Sequence, residues 1–374
     1  MTASVTTRAL LVVAVLCVGR TAAAQGEAEP QPEPPITAPV ARPAPATEAA
    51  TRGSGPLRAG LEVFAQYSYR RTLDPDGTTQ WFHVFDVPRV HGAVEGTYRW
   101  ARGRVVIEGV RSAAEGSLVG VAGDSLVLRA REAYGAAEPL PGLEISAGVV
   151  PTLTVPTLDG TWMMRPIAPS AVEANGLLSA ADIGARATYE LPRGYGRAGL
   201  GAYNGEGYTS RELNRGKNVE AALELHPAPG TPAAPLGVFA SWVAGSQGTL
   251  LSRADRGTLG LVWQDTWLRG GAFVTHAWGV AQFGEQRALN VSAFVRAEPI
   301  TNLLFAARVD HVVRDTAASP ANAITTMWLA GGYRPLPPLE TFLSFARSLP
   351  TRLARAEVPG VDSWELRLVT RVVF

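Results

Sequence analysis

The stretch W-E-L-R-L-V-T-R-V-V-F, residues 364–374, alternates between two kinds of side chain. One face carries mostly large apolar residues: Trp364, Leu366, Leu368, Thr370, Val372 and Phe374. The opposite face carries Glu365, Arg367 and Arg371. A period of two residues is that of a β-strand. One face suits lipid and the other suits water, which is typical of a membrane barrel, although a strand of a globular sandwich could alternate in the same way.

The first residues have the features of a secretory signal peptide. Arg8 supplies a positive charge, residues 9–18 form an apolar run, and residues 22–24 are three alanines that suit a cleavage site before Gln25. The alternative is a membrane anchor, but the apolar run is shorter than the roughly 20 residues that a spanning helix needs. We therefore predict that residues 1–24 are removed. Cys17, the chain's single cysteine, would leave with them.

Composition limits the class of protein. Without Arg8 and Arg20, 32 basic residues balance 33 acidic ones, so the mature chain has a net charge of −1. No nucleic-acid partner follows from that balance. Hydrophobic residues make up 46% of the chain, yet no apolar run after residue 24 has the length of a transmembrane helix. If the protein is integral to a membrane, it must cross as strands.

Residues 25–55 are rich in Pro, Ala and Glu and poor in large apolar side chains. Such a segment buries too little apolar surface to order itself, so we predict a disordered, partly extended linker. A role in reaching periplasmic structures is the alternative to an unstructured leader.

Short alternating runs fill residues 56–374, for example at 61–70, 183–191 and 219–226. Seven short links separate them, near 102–103, 139–142, 192–194, 227–235, 267–270, 299–302 and 335–338. Eight longer links alternate with these, near 71–80, 112–124, 151–181, 205–216, 246–256, 280–287, 313–323 and 349–361. The pattern predicts an all-β, antiparallel transmembrane β-barrel of about 16 strands, with 14 or 18 still open.

Several ordered segments resemble the phosphate-selective porin O and P family. The clearest are P-R-V-H-G-A-V-E-G at 88–96, L-E-I-S-A-G-V-V-P at 143–151 and G-A-Y-N-G-E-G-Y at 201–208. Shorter matches lie at 131–136 and 181–186, and N-R-G-K-N-V-E-A-A-L-E-L-H-P occupies 214–227.

The resemblance implies a sixteen-stranded, trimeric diffusion channel of the bacterial outer membrane, with lipid around it. The final strand, ending at Phe374, resembles the signature by which the barrel assembly machinery recognises such proteins. Phosphate-selective members line their pores with arginines and lysines, whereas this chain has one lysine, Lys217. That departure leaves phosphate specificity open.

Alternation places many charged side chains on the inner face. The residues predicted to line the pore lumen are Arg104, Glu108, Arg129, Arg131, Arg186, Glu190, Arg296, Arg308, Arg367 and Arg371. A chain of guanidinium groups could pass anions between successive sites. Pairing between the two signs is the simpler alternative, in which the charges brace the wall and set a transverse field.

The link at 151–181 is longer than ordinary loops, which suggests a role beyond joining strands. We predict that it folds inward and forms the pore constriction through Asp159, Trp162, Met163 and Arg165. Asp159 and Arg165 would narrow and polarise the pore, while Trp162 and Met163 would pack the loop against the wall. An external cap or a disordered loop is the alternative.

Motifs for other functions are weak. Gly194 to Gly199 fits G-x-G-x-x-G, but the motif continues into a strand pattern instead of a helix. None of the five histidines has metal-ligand spacing or lies in a G-x-S-x-G context. We therefore expect no enzyme activity, no cofactor and no metal. The sequence favours a general or weakly anion-preferring porin for small hydrophilic solutes or inorganic anions. The alternatives are a phosphate or polyphosphate channel and a non-conducting structural or adhesion barrel.

Overall fold

A computed structural model describes residues 56–111, 126–210, 215–280, 283–358 and 360–374. The predicted signal peptide at 1–24, the linker at 25–55 and the whole of the link at 112–124 lie outside the described residues.

The described residues contain eighteen strands, and sixteen of these form one closed antiparallel barrel. In chain order the strands are β1 (Leu57–Leu73), β2 (Thr79–Tyr98), β3 (Ala101–Arg111), β4 (Leu126–Leu140), β5 (Leu143–Pro151), β6 (Ala181–Leu191), β7 (Gly196–Tyr203), β8 (Asn218–Leu225), β9 (Leu236–Ala244), β10 (Ser246–Gln247), β11 (Ser252–Arg253), β12 (Asp255–Gln264), β13 (Leu268–Val280), β14 (Phe283–Ile300), β15 (Leu303–Asp315), β16 (Asn322–Leu336), β17 (Leu339–Pro350) and β18 (Asp362–Val373). The short strands β10 and β11 pair only with each other, so β9 pairs with β12.

The last strand closes the barrel on the first. β1 and β18 pair from Leu73 opposite Asp362 to Glu62 opposite Val373. This confirms the predicted architecture and strand number. It also satisfies the backbone of both terminal strands, which an open sheet would leave unpaired.

Outward and inward residues alternate as predicted. On β18, Leu366 and Leu368 are 40% and 48% exposed, whereas Val369 is fully buried and Glu365 nearly so. On β13, Val274 is 46% exposed and the adjacent Phe273 only 2%. The outer surface is therefore apolar, and the inner face holds both charged residues and a set of large apolar ones. No helix among the described residues is long and apolar enough to cross a membrane.

One predicted long link is wrong. The sequence places a link at 280–287, but β13 continues to Val280 and β14 already begins at Phe283, with these two residues paired. Both faces of a strand can meet water where it extends past the lipid, so the alternation of apolar and polar residues that marks a strand is lost there.

Three short helices complete the described structure: α1 (Thr154–Trp162), α2 (Ala171–Ala174) and α3 (Arg352–Glu357). The first two lie in the link between β5 and β6. The G-x-G-x-x-G stretch forms a tight turn and the start of β7 instead of a strand-to-helix turn. Gly196 has φ of 133°, and a Cβ there would lie 1.9 Å from the carbonyl oxygen of Glu224. Packing between strands therefore accounts for this glycine.

Candidate pore constriction

The link of residues 152–180 lies inside the barrel; we call it the inner link. Val155 and Leu158 of α1 belong to a buried cluster with Phe239 of β9 and Phe273 of β13. Phe273 points into the lumen, because its neighbour Val274 is on the outer surface. The large apolar residues of the inner face are thus covered by the inner link.

The tip of the inner link packs on the adjoining part of the wall, from β14 to β18. Trp162 is 1% exposed, and its ring contacts Phe294 at a centroid distance of 5.2 Å. Its Nε1 donates to the carbonyl of Ala168 at 2.9 Å, which holds the chain in a compact turn. Met164, Ile167 and Ala168 share its cluster with wall residues Leu304, Ala306, Phe342 and Val369.

Met163 does not have the packing role predicted for it. This residue ends α1 in the left-handed conformation, with φ of 53°, and is only partly buried. Because the left-handed turn redirects the chain, the methionine buried in the cluster is Met164 instead of Met163.

Glu220 of β8 fixes the start of α1. Its carboxylate accepts the backbone N–H groups of Leu153 and Thr154, each at 2.8 Å, and the Thr154 hydroxyl at 2.6 Å. The first N–H groups of a helix have no partner within the helix, and a carboxylate at this end is stabilising. Glu220 therefore binds the base of the inner link to the wall.

Three wall arginines hold the remainder of the inner link through its carbonyl groups. Arg308 donates to Pro169 at 2.5 Å, Arg367 to Ile167 at 2.8 Å and Arg256 to Leu177 at 2.9 Å. Arg308 also lies 5.4 Å from the Trp162 ring. Arg308 and Arg367, predicted as lumen residues, thus lie between the wall and the inner link.

Asp159 and Arg165 form an ion pair within the inner link. Arg165 also pairs with Glu173 at 2.6 Å, and the second Asp159 oxygen accepts the N–H of Ser170 at 2.8 Å. Both Asp159 and Arg165 side chains are almost fully buried, whereas Glu173 keeps some contact with solvent. These charges therefore connect α1, the tip and α2. Their predicted action on permeating ions stays a prediction.

The two carboxylates on Arg165 differ in acidity. Burial raises the pKa of Asp159. Burial also opposes ionisation of Glu173, but the Arg165 guanidinium outweighs it and lowers the Glu173 pKa to about 2.

Acid should break the contact between Glu173 and Arg165 late, after Asp159 has taken up a proton. Because the folded pKa of Glu173 is below its ordinary value of 4.5, its pairing stabilises the inner link above that pH and is lost as pH falls through about 2. Conductance in planar bilayers should hence still change as pH falls from about 4 toward 2, because Glu173 keeps its charge longer than Asp159. Glu173→Gln should show the altered conductance already at neutral pH. A wild-type change that is complete by about pH 4 would contradict this assignment.

A second group of charges converges on Glu108 of β3, which is fully buried. Its carboxylate contacts Arg129 at 2.7 Å and Arg89, Arg131 and the His91 ring each at 3.2 Å. It also accepts the Tyr208 hydroxyl at 3.0 Å. Of the three guanidinium groups, that of Arg129 is the most exposed, at 32%. One carboxylate therefore holds three cations at the pore wall.

Most other predicted lumen residues are paired along the wall. Arg104 bridges Glu95 at 3.1 Å and Glu132 at 3.0 Å. Arg371 bridges Glu62 at 2.5 Å and Glu340 at 2.8 Å, and Arg296 pairs with Glu298. The pairs of Arg104 and Arg371 join neighbouring strands and brace the barrel, whereas Arg296 and Glu298 both lie on β14. This agrees with the pairing alternative from the sequence.

The described residues enclose two cavities of about 360 Å³ each on the inner side of the barrel wall. The turn-side cavity opens near the short turns and is lined by Arg102, Arg186, Arg197, Glu138, Glu144 and Glu190 among others. The loop-side cavity opens near the longer links, with Arg89, Arg129, Tyr208, Glu173, Asp182 and Glu206 among its lining residues. Thr152 and Ala180, the two ends of the inner link, border both cavities.

The predicted site residues are thus spread over several places inside the barrel. Asp159, Trp162 and Arg165 lie in the inner link, Arg129, Arg131 and Glu108 lie in the group beside it, and Arg186 and Glu190 line the turn-side cavity. Arg89, Glu173 and Tyr208 also belong to these places, although the alternation pattern did not predict them. A bulge between β1 and β2 near Arg89 shifts the alternation there, and Glu173 and Tyr208 lie in links, where alternation carries no information.

Comparison with known proteins identifies the fold. Neither a protein-family model nor a curated protein sequence matches this chain. Solved structures do. OmpF of Salmonella typhi in complex with daunomycin has a TM-score of 0.64 at 12% identity, covering 87% of this chain and 100% of that chain.

Two further structures each have a TM-score of 0.58 and are covered over their full length. The outer membrane channel DcaP of Acinetobacter baumannii is 11% identical over 87% of this chain, and the anion-selective porin from Comamonas acidovorans is 12% identical over 85%. At these identities the likeness shows the fold alone. The chain has the barrel fold found in outer-membrane channels and porins.

Proposed function

We propose that this protein is a passive channel of the bacterial outer membrane, through which small hydrophilic solutes diffuse without covalent chemistry. The observation that carries the proposal is the inner link, which fills the apolar part of the lumen and leaves two polar cavities. A sixteen-stranded barrel is wide enough for an aqueous path. A barrel whose only role was structural or adhesive would not need polar cavities on both sides of such a link.

Charge selectivity should be weak. In the loop-side cavity the Arg89 and Arg129 side chains are partly exposed, whereas Asp182 and Glu220 are buried and accept backbone N–H groups. This difference favours anions. The exposed Glu138 and Glu190 side chains in the turn-side cavity oppose this preference for anions.

We further propose a homotrimer, inserted by the barrel assembly machinery through the strand that ends at Phe374. Vibrio cholerae OmpT, another solved structure of similar fold, has a trimer form. Crosslinking in native membranes followed by electrophoresis should give a three-chain species, and a product limited to single chains would reject the trimer.

Planar bilayer recording of the purified, refolded protein tests the function. We expect stepwise conductance and, in a potassium chloride gradient, a reversal potential slightly on the anion side. Absence of steps would reject the channel. Block of the chloride current by millimolar phosphate would favour the phosphate-selective channel over the general one, because a bound oxyanion would occupy the guanidinium groups around Glu108.

A further inference from the structure

Tyr208 reaches the pore from a different link. It lies in the segment between β7 and β8, and its hydroxyl donates to Glu108 of β3 at 3.0 Å. The same oxygen accepts a hydrogen bond from Arg129 at 3.3 Å. The Arg129 guanidinium lies 5.0 Å from the centre of the Tyr208 ring, and that of Arg131 lies 5.8 Å away. Tyr208 thus contacts the exposed cation of this group through both its ring and its hydroxyl.

The backbone around Tyr208 is held to the barrel and to the inner link. The Tyr208 N–H donates to Ala181 at 3.0 Å, and the Gly205 N–H donates to Asp182 at 2.8 Å. Gly207 has φ of 74°, and a Cβ there would lie 2.7 Å from the Ser179 hydroxyl. The chain passes so close to the inner link at this point that only glycine fits, so the position of Tyr208 is set by the fold.

We propose that Tyr208 is a specificity-determining residue of the pore, which holds the Arg129 guanidinium at the surface of the loop-side cavity. This inference rests on the proposed channel function. Arg129 has two anchors: the Glu108 carboxylate, bound by Nε at 2.8 Å and buried in the wall, and Tyr208, which lines the cavity. Without Tyr208, the guanidinium follows the carboxylate and withdraws from the cavity. Anions then lose a positive charge along their path.

The chemistry of the phenol suits this role. Burial raises the pKa of Tyr208 above its ordinary value of 10.0, although the nearby arginines oppose that shift. The hydroxyl therefore stays protonated under working conditions, donating to Glu108 while it accepts from Arg129. A cation beside an aromatic ring gains further stabilisation from the ring face.

A double-mutant cycle with Arg129 tests the proposal by reversal potential. A unit charge near the path of a permeating ion has a modest effect in water, so Arg129→Gln should lower the chloride-to-potassium permeability ratio by about twofold. Tyr208→Ala should lower the ratio in the same direction, and Tyr208→Phe, which keeps the ring, should lower it less. In the Arg129→Gln background, Tyr208→Ala should produce no further change.

Tyr195→Ala, at an exposed turn at the other end of the barrel, is the matched control and should behave as wild type. Heat-modified electrophoretic mobility verifies that each variant is folded. An unchanged ratio in folded Tyr208→Ala, or effects of Tyr208→Ala and Arg129→Gln that simply add, would overturn the proposal. If Tyr208→Ala fails to fold, a wild-type ratio in Tyr208→Phe would overturn it instead. A silent wild-type protein would reject the channel function itself, which is a distinct outcome.

Discussion

Trp162→Ala is expected to release the tip of the inner link and increase single-channel conductance by roughly twofold, because the tip occupies space that a sixteen-stranded barrel otherwise leaves to water. The tryptophan is 1% exposed and joins Phe294, Arg308 and Ala168. Truncating a buried aromatic residue to alanine costs about 3–5 kcal/mol. That loss exceeds the contribution of the individual hydrogen bonds that hold the tip, each worth about 1 kcal/mol.

Trp267→Ala is the matched control, since Trp267 is half exposed in the turn between β12 and β13. The measurement is bilayer recording at one salt concentration, with current noise as a second observable. Conductance equal to wild type in folded Trp162→Ala would show that the tip does not limit the pore.

Glu108→Gln should have the second large effect. It leaves the guanidinium groups of Arg89, Arg129 and Arg131 around a neutral amide, and breaking a buried ion pair by removing one partner costs about 3–5 kcal/mol. We expect a lower unfolding temperature in detergent and a reversal potential shifted toward anions. Glu138→Gln, at an exposed position, should leave stability unchanged. A shift toward cations in Glu108→Gln would contradict the assigned arrangement.

Local sequence could predict the wall of the barrel because the alternation within each strand shows which side chains face outward and which face inward. Leu366 and Leu368 point outward and Glu365 inward, as their spacing requires. The pairing of β18 with β1 followed from closure of the sheet. Strand ends were less predictable: near Val280 the chain leaves the lipid, and polar residues there continue the strand instead of ending it.

The constriction was predictable only in outline. The length of the 151–181 link indicated an inward fold, but which residues would meet depends on positions far apart in the chain. Glu220 contacts Thr154 across 66 residues, and Arg367 contacts Ile167 across 200. A left-handed residue at 163 moved the buried methionine to Met164. No periodicity encodes such contacts.

The sequence could not predict which charged residues pair with each other, for the same reason. Alternation identifies which residues face inward, whereas the partner of each depends on strand register and on bulges such as the one near Arg89. Tyr208 illustrates the limit. Its motif, residues 201–208, was recognisable, but its contact with Glu108 spans 100 residues.

Labelling of the inner link by a reagent inside the pore tests most directly whether this link narrows the channel. The chain's one cysteine, Cys17, lies in the predicted signal peptide, so a mature protein carrying Ser179→Cys would have a single thiol. Ser179 borders the loop-side cavity. A charged methanethiosulfonate added during bilayer recording should reduce the current in Ser179→Cys. It should leave Ala356→Cys, on the exposed face of α3, unaffected. An unaltered current in Ser179→Cys, with labelling of the thiol verified by mass, would contradict a pore narrowed by the inner link.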